Sequence, residues 1–324
     1  MRILFITATR VGDAVLSTGL LHYLLQRHPE ARVTVACGPA AAGLFEAVPG
    51  LERIITLEKK QFSLHWLRLW ALSVGCVWDV VVDLRNAPLS YAIPSRKAWH
   101  LGRKNMSDHR VVRIAGALGL QDSPPSPHLW TSDEHQKRAR NILAGDGPVL
   151  AIGPVANWRP KTWAADRFVE LAARLTAIGG ILPDARVAVF GTHDERDQAG
   201  ALIDALPHET TLDLMGKLDL LEIQACFEQV DMFIGNDSGL MHMAAAAGVP
   251  TLGLFGPSRE EHYAPWGNVA MAVRGDLGYH EVFPKGYDYR NADGHDLMSS
   301  LTVDRVYEAV VALWHQAKSG QSCE

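Results

Sequence analysis

A chain of 324 residues, 48% hydrophobic and 21% charged, has the composition of a globular protein long enough for two domains. Its 31 basic and 36 acidic residues give a net charge of −5, which argues against general nucleic-acid binding. The four scattered cysteines, Cys37, Cys76, Cys226 and Cys323, have neither disulfide nor zinc spacing and fit a reducing cytoplasm.

Neither apolar stretch near the start of the chain predicts a membrane anchor. The run Ile3–Ile6 is too short for a secretory signal, and residues 62–82 are interrupted by charged side chains. For the second stretch, core packing of Trp66 and Trp70 is favoured over a peripheral contact with a membrane.

The first half of the chain alternates short apolar runs with amphipathic segments, which predicts a parallel α/β sheet with right-handed crossovers. Predicted strands cover 2–7, 32–36, 53–57 and 78–84, and predicted helices cover 14–26, 40–47 and 63–74. The segment 84–113 then carries seven basic residues and one acid. Such a run is either a solvated face or a surface for an anionic partner.

A second alternation of the same kind begins at residue 149. It predicts strands at 149–152, 186–190, 230–234 and 251–255, and helices at 165–177, 195–206, 220–229, 240–247 and 302–317. Proline-rich residues 121–130 and the glycine-containing break 144–148 separate the halves. We therefore predict an N-terminal domain over 1–145, a C-terminal domain over 146–301, and a final helix and tail over 302–324 that can pack back on the first domain.

The most informative stretch is FIGNDSGLMHMAAAAGVPTLGLFG at 233–256, which reads as strand, turn, helix, turn and strand. Its turn puts the first N–H groups of a helix at the carboxyl end of a strand, where α/β sheets bind anions. The amides of Ser238, Gly239 and Leu240 are therefore candidates for contacting a diphosphate. Asp237 would repel a bare phosphate and suits sugar hydroxyls better, although the same turn also fits an ordinary helix cap.

Three further side chains sit beside predicted helix starts. Asp13 lies between the first strand and the first helix, where it suits a general base or an N-cap of helix 14–26. Lys161, in the loop after the strand at 149–152, suits a diphosphate or simply a solvated surface. His242 suits a phosphate or sugar contact, or a structural histidine.

Several common sites are disfavoured by their spacing. There is no GxGxxG after the first strand and no GxxxxGK[ST], which argues against a nicotinamide enzyme and a P-loop NTPase. The polar clusters at 193–195 and 293–296 have neither zinc nor calcium spacing, so no metal site is predicted.

Together these motifs resemble glycosyltransferase family 9, the heptosyltransferases of lipopolysaccharide assembly. The resemblance runs from MRILFITATRVGDAVLSTGLLHYLLQRHPEARVTV at the start, through KTW at 161–163 and LMGKLDLLE at 214–222, to GNDSGLMHMAAAAGVPTLGLFGP at 235–257. It implies an α/β GT-B fold, in which two Rossmann-like domains face across a cleft, with the acceptor on the first and the nucleotide-sugar on the second. It also implies an inverting, metal-independent transfer without a cofactor, with ADP-heptose as the usual donor.

The resemblance also implies roles by position. Asp13 would be the base that deprotonates the acceptor hydroxyl, and Asp237 would hold the donor sugar. Lys161, His242 and the 238–240 amides would contact the phosphates. The other donor-binding residues it implies are Ala156, Asn157, Gly191, Gly216 and Leu218, and those for an anionic acceptor are Arg10, Lys59, Lys60 and Arg85.

The implied partners are a nucleotide-sugar donor and an anionic glycan or lipid-linked acceptor. The implied location is the cytoplasm, with room for a peripheral contact at the inner face of the inner membrane. Two alternatives stay open from the sequence: a sugar-nucleotide epimerase of the same architecture, and a non-catalytic protein that binds a nucleotide or glycan.

Overall fold

The computed structural model describes residues 1–58, 64–102, 107–282 and 297–321. The chain divides into two compact units, Met1–Ser132 and Asp133–Glu324. This division lies earlier than the predicted boundary after residue 145, because helix α4 (Asp133–Ile142) packs on α7 (Leu220–Phe227). An ion pair between Arg138 and Glu222, with nitrogen and oxygen 2.7 Å apart, joins these two helices.

The first unit is built on a five-stranded parallel sheet in the order β3-β2-β1-β4-β5. Its strands are β1 (Arg2–Ile6), β2 (Arg32–Cys37), β3 (Leu51–Thr56), β4 (Trp78–Asp83) and β5 (Ser95–His100), and its helices are α1 (Val11–Arg27), α2 (Leu64–Ser73) and α3 (Arg110–Ala115). The predicted elements of this half are confirmed, except that 40–47 is a 3-10 helix over Pro39–Phe45. Strand β5 was not predicted, because it lies at the sheet edge and exposes Arg96 and Lys97 instead of alternating apolar residues.

The second unit contains a six-stranded parallel sheet in the order β11-β10-β9-β6-β7-β8. Its strands are β6 (Val149–Gly153), β7 (Arg186–Val189), β8 (Thr211–Asp213), β9 (Met232–Asn236), β10 (Thr251–Phe255) and β11 (Ala270–Arg274). Besides α4 and α7, its helices are α5 (Ala165–Thr176), α6 (Arg196–Ala205), α8 (Gly239–Ala247), α9 (Glu260–Tyr263), α10 (Tyr279–Val282) and α11 (Val303–Gln321). The final helix buries Val306, Val310 and Leu313 in the core of this unit, packing on α5, β10 and β11, whereas the sequence had allowed packing on the first domain.

Both sheets place the first strand of the unit in the middle. The second strand lies on one side of it and the fourth on the other, so the order runs 3-2-1-4-5 in the first unit and 3-2-1-4-5-6 in the second. This is the doubly wound arrangement of Rossmann-like folds, in which ligands bind where the strand order reverses. The predicted pair of Rossmann-like α/β units is confirmed.

Trp66 and Trp70 of α2 pack against the core of the first unit. The indole N–H of Trp70 also donates to the carbonyl of Ala92 over 3.3 Å. Core packing, the favoured interpretation of these two side chains, is therefore confirmed. Within the described ranges, no helix combines the length and apolarity needed to cross a membrane.

The proline-rich segment 121–130 is attached to α1 by an aromatic cluster. The rings of His22 and His128 lie 4.1 Å apart, and Trp130 meets His128 edge-on at 5.1 Å. The backbone N–H of His128 donates to the hydroxyl of Thr18 over 3.0 Å. Burial lowers the pKa of both imidazoles, and the neighbouring His22 lowers the pKa of His128 further.

This cluster makes the stability of the fold depend on pH. Because both pKa values are lowered in the folded state, unfolding takes up protons below about pH 6.5, the ordinary histidine value. The stability that the folded state gains from holding these two histidines neutral is present above that pH, and it is lost as the pH falls through their folded-state pKa values. We expect the melting temperature to drop more steeply between about pH 7.5 and 5.5 in wild type than in the variant His128→Gln, measured by thermal unfolding.

The exposed His208, on the second unit, supplies the matched control. His208→Gln is expected to keep the wild-type pH slope. Equal slopes for wild type and His128→Gln would contradict the assignment.

Candidate functional site

In the second unit the strand order reverses between β6 and β9, so the loops after these two strands meet. Gly153, the last residue of β6, lies opposite Gly235 of β9. A Cβ atom added at Gly235 would stand 2.8 Å from the carbonyl oxygen of Gly153. Glycine is therefore required for the close approach of the two strands at this point.

The two loops bring Lys161 and Asp237 together. The Lys161 Nζ and the Asp237 Oδ2 are 2.5 Å apart, and the two side chains are 21% and 7% exposed. The sequence predicted that both residues belong to one site. It placed the Asp237 carboxylate at an open mouth, however, whereas the structure buries it against an ammonium group.

Asn236 holds both loops in place and was missed by the sequence reasoning. Its side chain is fully buried, with Nδ2 donating to the carbonyl of Pro154 over 2.6 Å and Oδ1 accepting from the N–H of Trp163 over 3.0 Å. These two bonds fix both ends of the loop that carries Lys161. Removing the amide would leave two buried backbone groups unpaired, at a cost of about 1–3 kcal/mol each. Its place at the end of an apolar strand, directly before Asp237, was the available signal.

Helix α8 begins directly after this ion pair. Ser238 occupies the N-cap position but makes no side-chain cap, and Gly239 and Leu240 form the first turn of the helix. The hydroxyl oxygens of Ser238 and Thr162 are buried without a hydrogen-bond partner in the described part of the chain. Unpaired hydroxyls and free first-turn amides favour an acceptor-rich ligand such as a phosphate. His242 is buried on the same helix.

The remaining predicted donor residues flank the neighbouring strands of the same sheet. Gly216, with φ of +69°, donates its N–H to the carbonyl of Gly191 over 2.9 Å. A Cβ atom at Gly216 would lie 2.6 Å from the Cα of His193, so a larger residue does not fit.

The other three predicted donor residues lie in neighbouring loops. Leu218, two residues after Gly216, is half-buried. In the loop after β6, Ala156 is buried and Asn157 is exposed. Gly191 and Gly216 therefore lie on the β7 side of strand β6, and Asp237 lies on its β9 side.

The first unit has its own reversal point, between β1 and β4. A cavity of about 330 Å³ opens there, lined by Arg10, Asp13, Arg85 and Arg110 among others. Helix α1 already begins at Val11, so Asp13 is in its first turn and the interpretation as an N-cap is wrong. The Asp13 Oδ1 lies 3.6 Å from the Nε of Arg110.

Arg85 carries a guanidinium that is incompletely paired within the described residues. Its Nη1 is buried without a hydrogen-bond partner in the described residues, and burial lowers the pKa of the guanidinium, although nearby Asp83 opposes that shift. The guanidinium lies over the ring of Trp66 at 4.7 Å. Arg85 also lines a second cavity of about 440 Å³, shared with Arg10 and His65. A buried cation that is incompletely paired gains stability from an anionic ligand.

Asp83, at the end of β4, fixes the loop that carries Arg85. Its two carboxylate oxygens accept the N–H groups of Arg85 and Ala87 over 2.8 and 2.7 Å and the hydroxyl of Ser90 over 2.6 Å. Asp83 and Arg110 were both missed as individual site residues, although Arg110 lies in the basic segment 84–113. The predicted acceptor residues Arg10 and Arg85 line the cavity with Asp13.

Lys59 and Lys60 lie outside the described residues, as does the polar cluster 293–296. The other polar cluster, 193–195, forms a short 3-10 turn in which Glu195 accepts the N–H of Thr192 over 2.9 Å. Within the part of the chain that the structure describes, no three His, Cys, Asp or Glu residues are grouped in a way that could hold a metal ion.

Comparison with known proteins agrees with this geometry. The model of the family described as glycosyltransferase family 9 (heptosyltransferase) matches residues 91–289. A lipopolysaccharide heptosyltransferase 2 of Salmonella typhimurium is 26% identical, covering 97% of this chain and 98% of that protein.

Two solved structures share the fold. A family 9 glycosyl transferase from Veillonella parvula superposes with a TM-score of 0.79 at 20% identity, covering 97% of both chains. The E. coli ADP-heptose lps heptosyltransferase II superposes with a TM-score of 0.75 at 24% identity, covering 98% of this chain and all of that one. The GT-B fold predicted from the sequence is thus confirmed. Because the family model spans more than half of the chain, this protein belongs to glycosyltransferase family 9 and is a glycosyltransferase.

Proposed function

We propose that the protein transfers heptose from ADP-heptose to a lipopolysaccharide core or related glycan acceptor. The observation that carries the proposal is the Lys161–Asp237 pair beside the start of α8. The names of the Salmonella and E. coli relatives, which refer to lipopolysaccharide and to ADP-heptose, support this donor and acceptor. Membership of a glycosyltransferase family leaves the epimerase and the non-catalytic alternatives without support.

The second unit would bind the donor. The diphosphate would face the amides of Ser238, Gly239 and Leu240, with His242 on the same helix. An ammonium group has three N–H donors, so Lys161 can keep its bond to Asp237 while donating to a phosphate oxygen. Asp237 would hold Lys161 in position and accept from the sugar hydroxyls with its remaining lone pairs.

The nucleoside would extend from that turn across β6 toward β7. Gly191, Gly216 and Leu218 would border it, as the resemblance implies. Ala156 and Asn157 would line the loop of Lys161, beside the diphosphate. The order of the strands supports this path, because β6 lies between β9, which carries Asp237, and β7, which ends just before Gly191.

The first unit would bind the acceptor. Arg10, Arg85 and Arg110 surround Asp13 in the cavity and suit anionic groups on the glycan. Lys59 and Lys60 are proposed to add to this charge. The compartment proposed is the cytoplasm, because the buried free thiols of Cys37 and Cys226 suit a reducing environment.

The chemistry would be a single displacement. Asp13 takes the proton of the acceptor hydroxyl, and the oxygen attacks the anomeric carbon from the face opposite the diphosphate. The bond from that carbon to the diphosphate oxygen breaks, so configuration inverts and ADP leaves. Lys161 and the helix amides stabilise the charge that develops on ADP, so no metal ion is required for that role.

Asp13 can be tested directly. Asp13→Asn is expected to lower kcat for heptose transfer by about 10² to 10⁴, the usual contribution of a general base, while the thermal shift produced by ADP stays at the wild-type value. Transfer is measured with ADP-heptose and a lipopolysaccharide core acceptor. The control is Glu30→Gln, which changes an exposed carboxylate of the same unit. An Asp13→Asn enzyme that transfers as fast as wild type rules out the proposed base.

The Lys161–Asp237 pair makes a second test. Lys161→Met removes a charge-assisted bond to phosphate, so ADP should bind roughly tenfold to hundredfold more weakly by calorimetry. It also leaves the mostly buried Asp237 carboxylate unpaired, so the melting temperature should fall. Adding Asp237→Asn to this variant should recover part of the lost stability without recovering ADP affinity.

Lys137 is exposed on α4 of the same unit, and Lys137→Met serves as the control for loss of a lysine. The interpretation fails if Lys161→Met binds ADP with wild-type affinity.

A further inference from the structure

Helix α2 leaves one apolar face exposed among the residues that the structure describes. Leu64, Leu67 and Leu72 are 50%, 51% and 41% exposed, and their spacing puts them on one side of the helix. Leu69, on the other side, is buried in the core of the first unit. An isolated exposed leucine needs no explanation, but three on one helix face form an apolar patch, the kind of feature that marks interaction sites.

The charges along this helix are positive. Arg68 is exposed on the same face of the helix, next to Leu67 and one helical turn after Leu64. The Nη2 of Arg53 donates to the carbonyl of Leu72 over 3.0 Å, which places a second guanidinium at the end of the helix. In the sequence, no aspartate or glutamate occurs between Lys59 and Trp78. Apolar side chains flanked by cations, with no acid among them, suit the interface of a bilayer with anionic lipid.

The same helix borders the cavities of the first unit. His65 lines the 440 Å³ cavity together with Arg85, and the Arg85 guanidinium lies over the ring of Trp66. A membrane contacted by the leucine face would therefore lie near the entrance used by a lipid-linked acceptor. This step rests on the proposed function.

We propose that this surface, formed by Leu64, Leu67, Arg68 and Leu72, docks the protein peripherally on a bilayer that contains anionic lipid. The leucines enter the interfacial layer and Arg68 contacts lipid phosphates. The tryptophans considered from the sequence stay in the core of the unit. The docking helix is thus packed on the same unit that carries the proposed acceptor cavity.

The test is sedimentation with sucrose-loaded vesicles, without donor or acceptor. Wild type should bind vesicles of phosphatidylcholine with phosphatidylglycerol, bind pure phosphatidylcholine weakly, and be released by salt. Leu64→Gln/Leu67→Gln/Leu72→Gln should lower the partition coefficient by at least about tenfold, because three leucines no longer leave water. Arg68→Gln should lower it by about fivefold, the usual effect of one basic residue at such a surface.

Ile178 provides the matched control, since it is an apolar residue that is 96% exposed on the second unit. Ile178→Gln should bind vesicles like wild type. The single variant Leu67→Gln covers the case in which the triple variant does not fold, and it should also bind more weakly than wild type. The thermal shift produced by ADP should be unchanged in all of these variants.

The proposal is overturned if wild-type protein does not bind anionic vesicles. It is also overturned if a folded triple variant, or Leu67→Gln, binds them as strongly as wild type. A wild-type dimer that Leu67→Gln converts to a monomer, in light scattering without vesicles, would instead assign the face to a second copy of the chain. If wild-type protein transfers heptose but does not bind vesicles, the docking proposal fails and the proposed function stands. If wild-type protein shows no heptose transfer, the proposed function itself is contradicted.

Discussion

The buried amide of Asn236 is the contact on which the second site depends. It joins the end of β9 to both ends of the loop after β6 through bonds to Pro154 and Trp163. Those bonds bring Lys161 to Asp237, and they do so beside the free amides at the start of α8. A charged pair that is mostly removed from water is costly unless its geometry is fixed, and the Asn236 bonds fix it.

The two units use one topology for opposite electrostatic purposes. Each sheet reverses its strand order beside its first strand, and each reversal point collects the candidate site residues of its unit. In the second unit these are an ammonium, helix amides and a carboxylate, which together suit a sugar diphosphate. In the first unit Arg10, Arg85 and Arg110 line one cavity together with the Asp13 carboxylate, which suits deprotonation of a hydroxyl on an anionic glycan. The proposed division into donor and acceptor units follows from this difference in charge.

The sequence predicted the parts of this structure that local pattern controls. The buried strands and the glycine-rich turn at 235–239 are visible as periodicity and turn chemistry, so the two α/β units and the pairing of Lys161 with Asp237 in one site could be predicted. The contact between Asn236 and Trp163 joins residues far apart in the chain, so no local pattern reveals it. Strand β5 was not predicted because an edge strand need not alternate apolar and polar side chains.

The central claim is that the diphosphate belongs to the second unit and the anionic acceptor to the first. The most direct measurement is a crystal structure of the protein with ADP bound. The account predicts phosphate density at the start of α8, within hydrogen-bond distance of the Lys161 Nζ and the Ser238 amide. Phosphate density in the first unit, between Arg85 and Arg110, with the Lys161–Asp237 site empty, would contradict it.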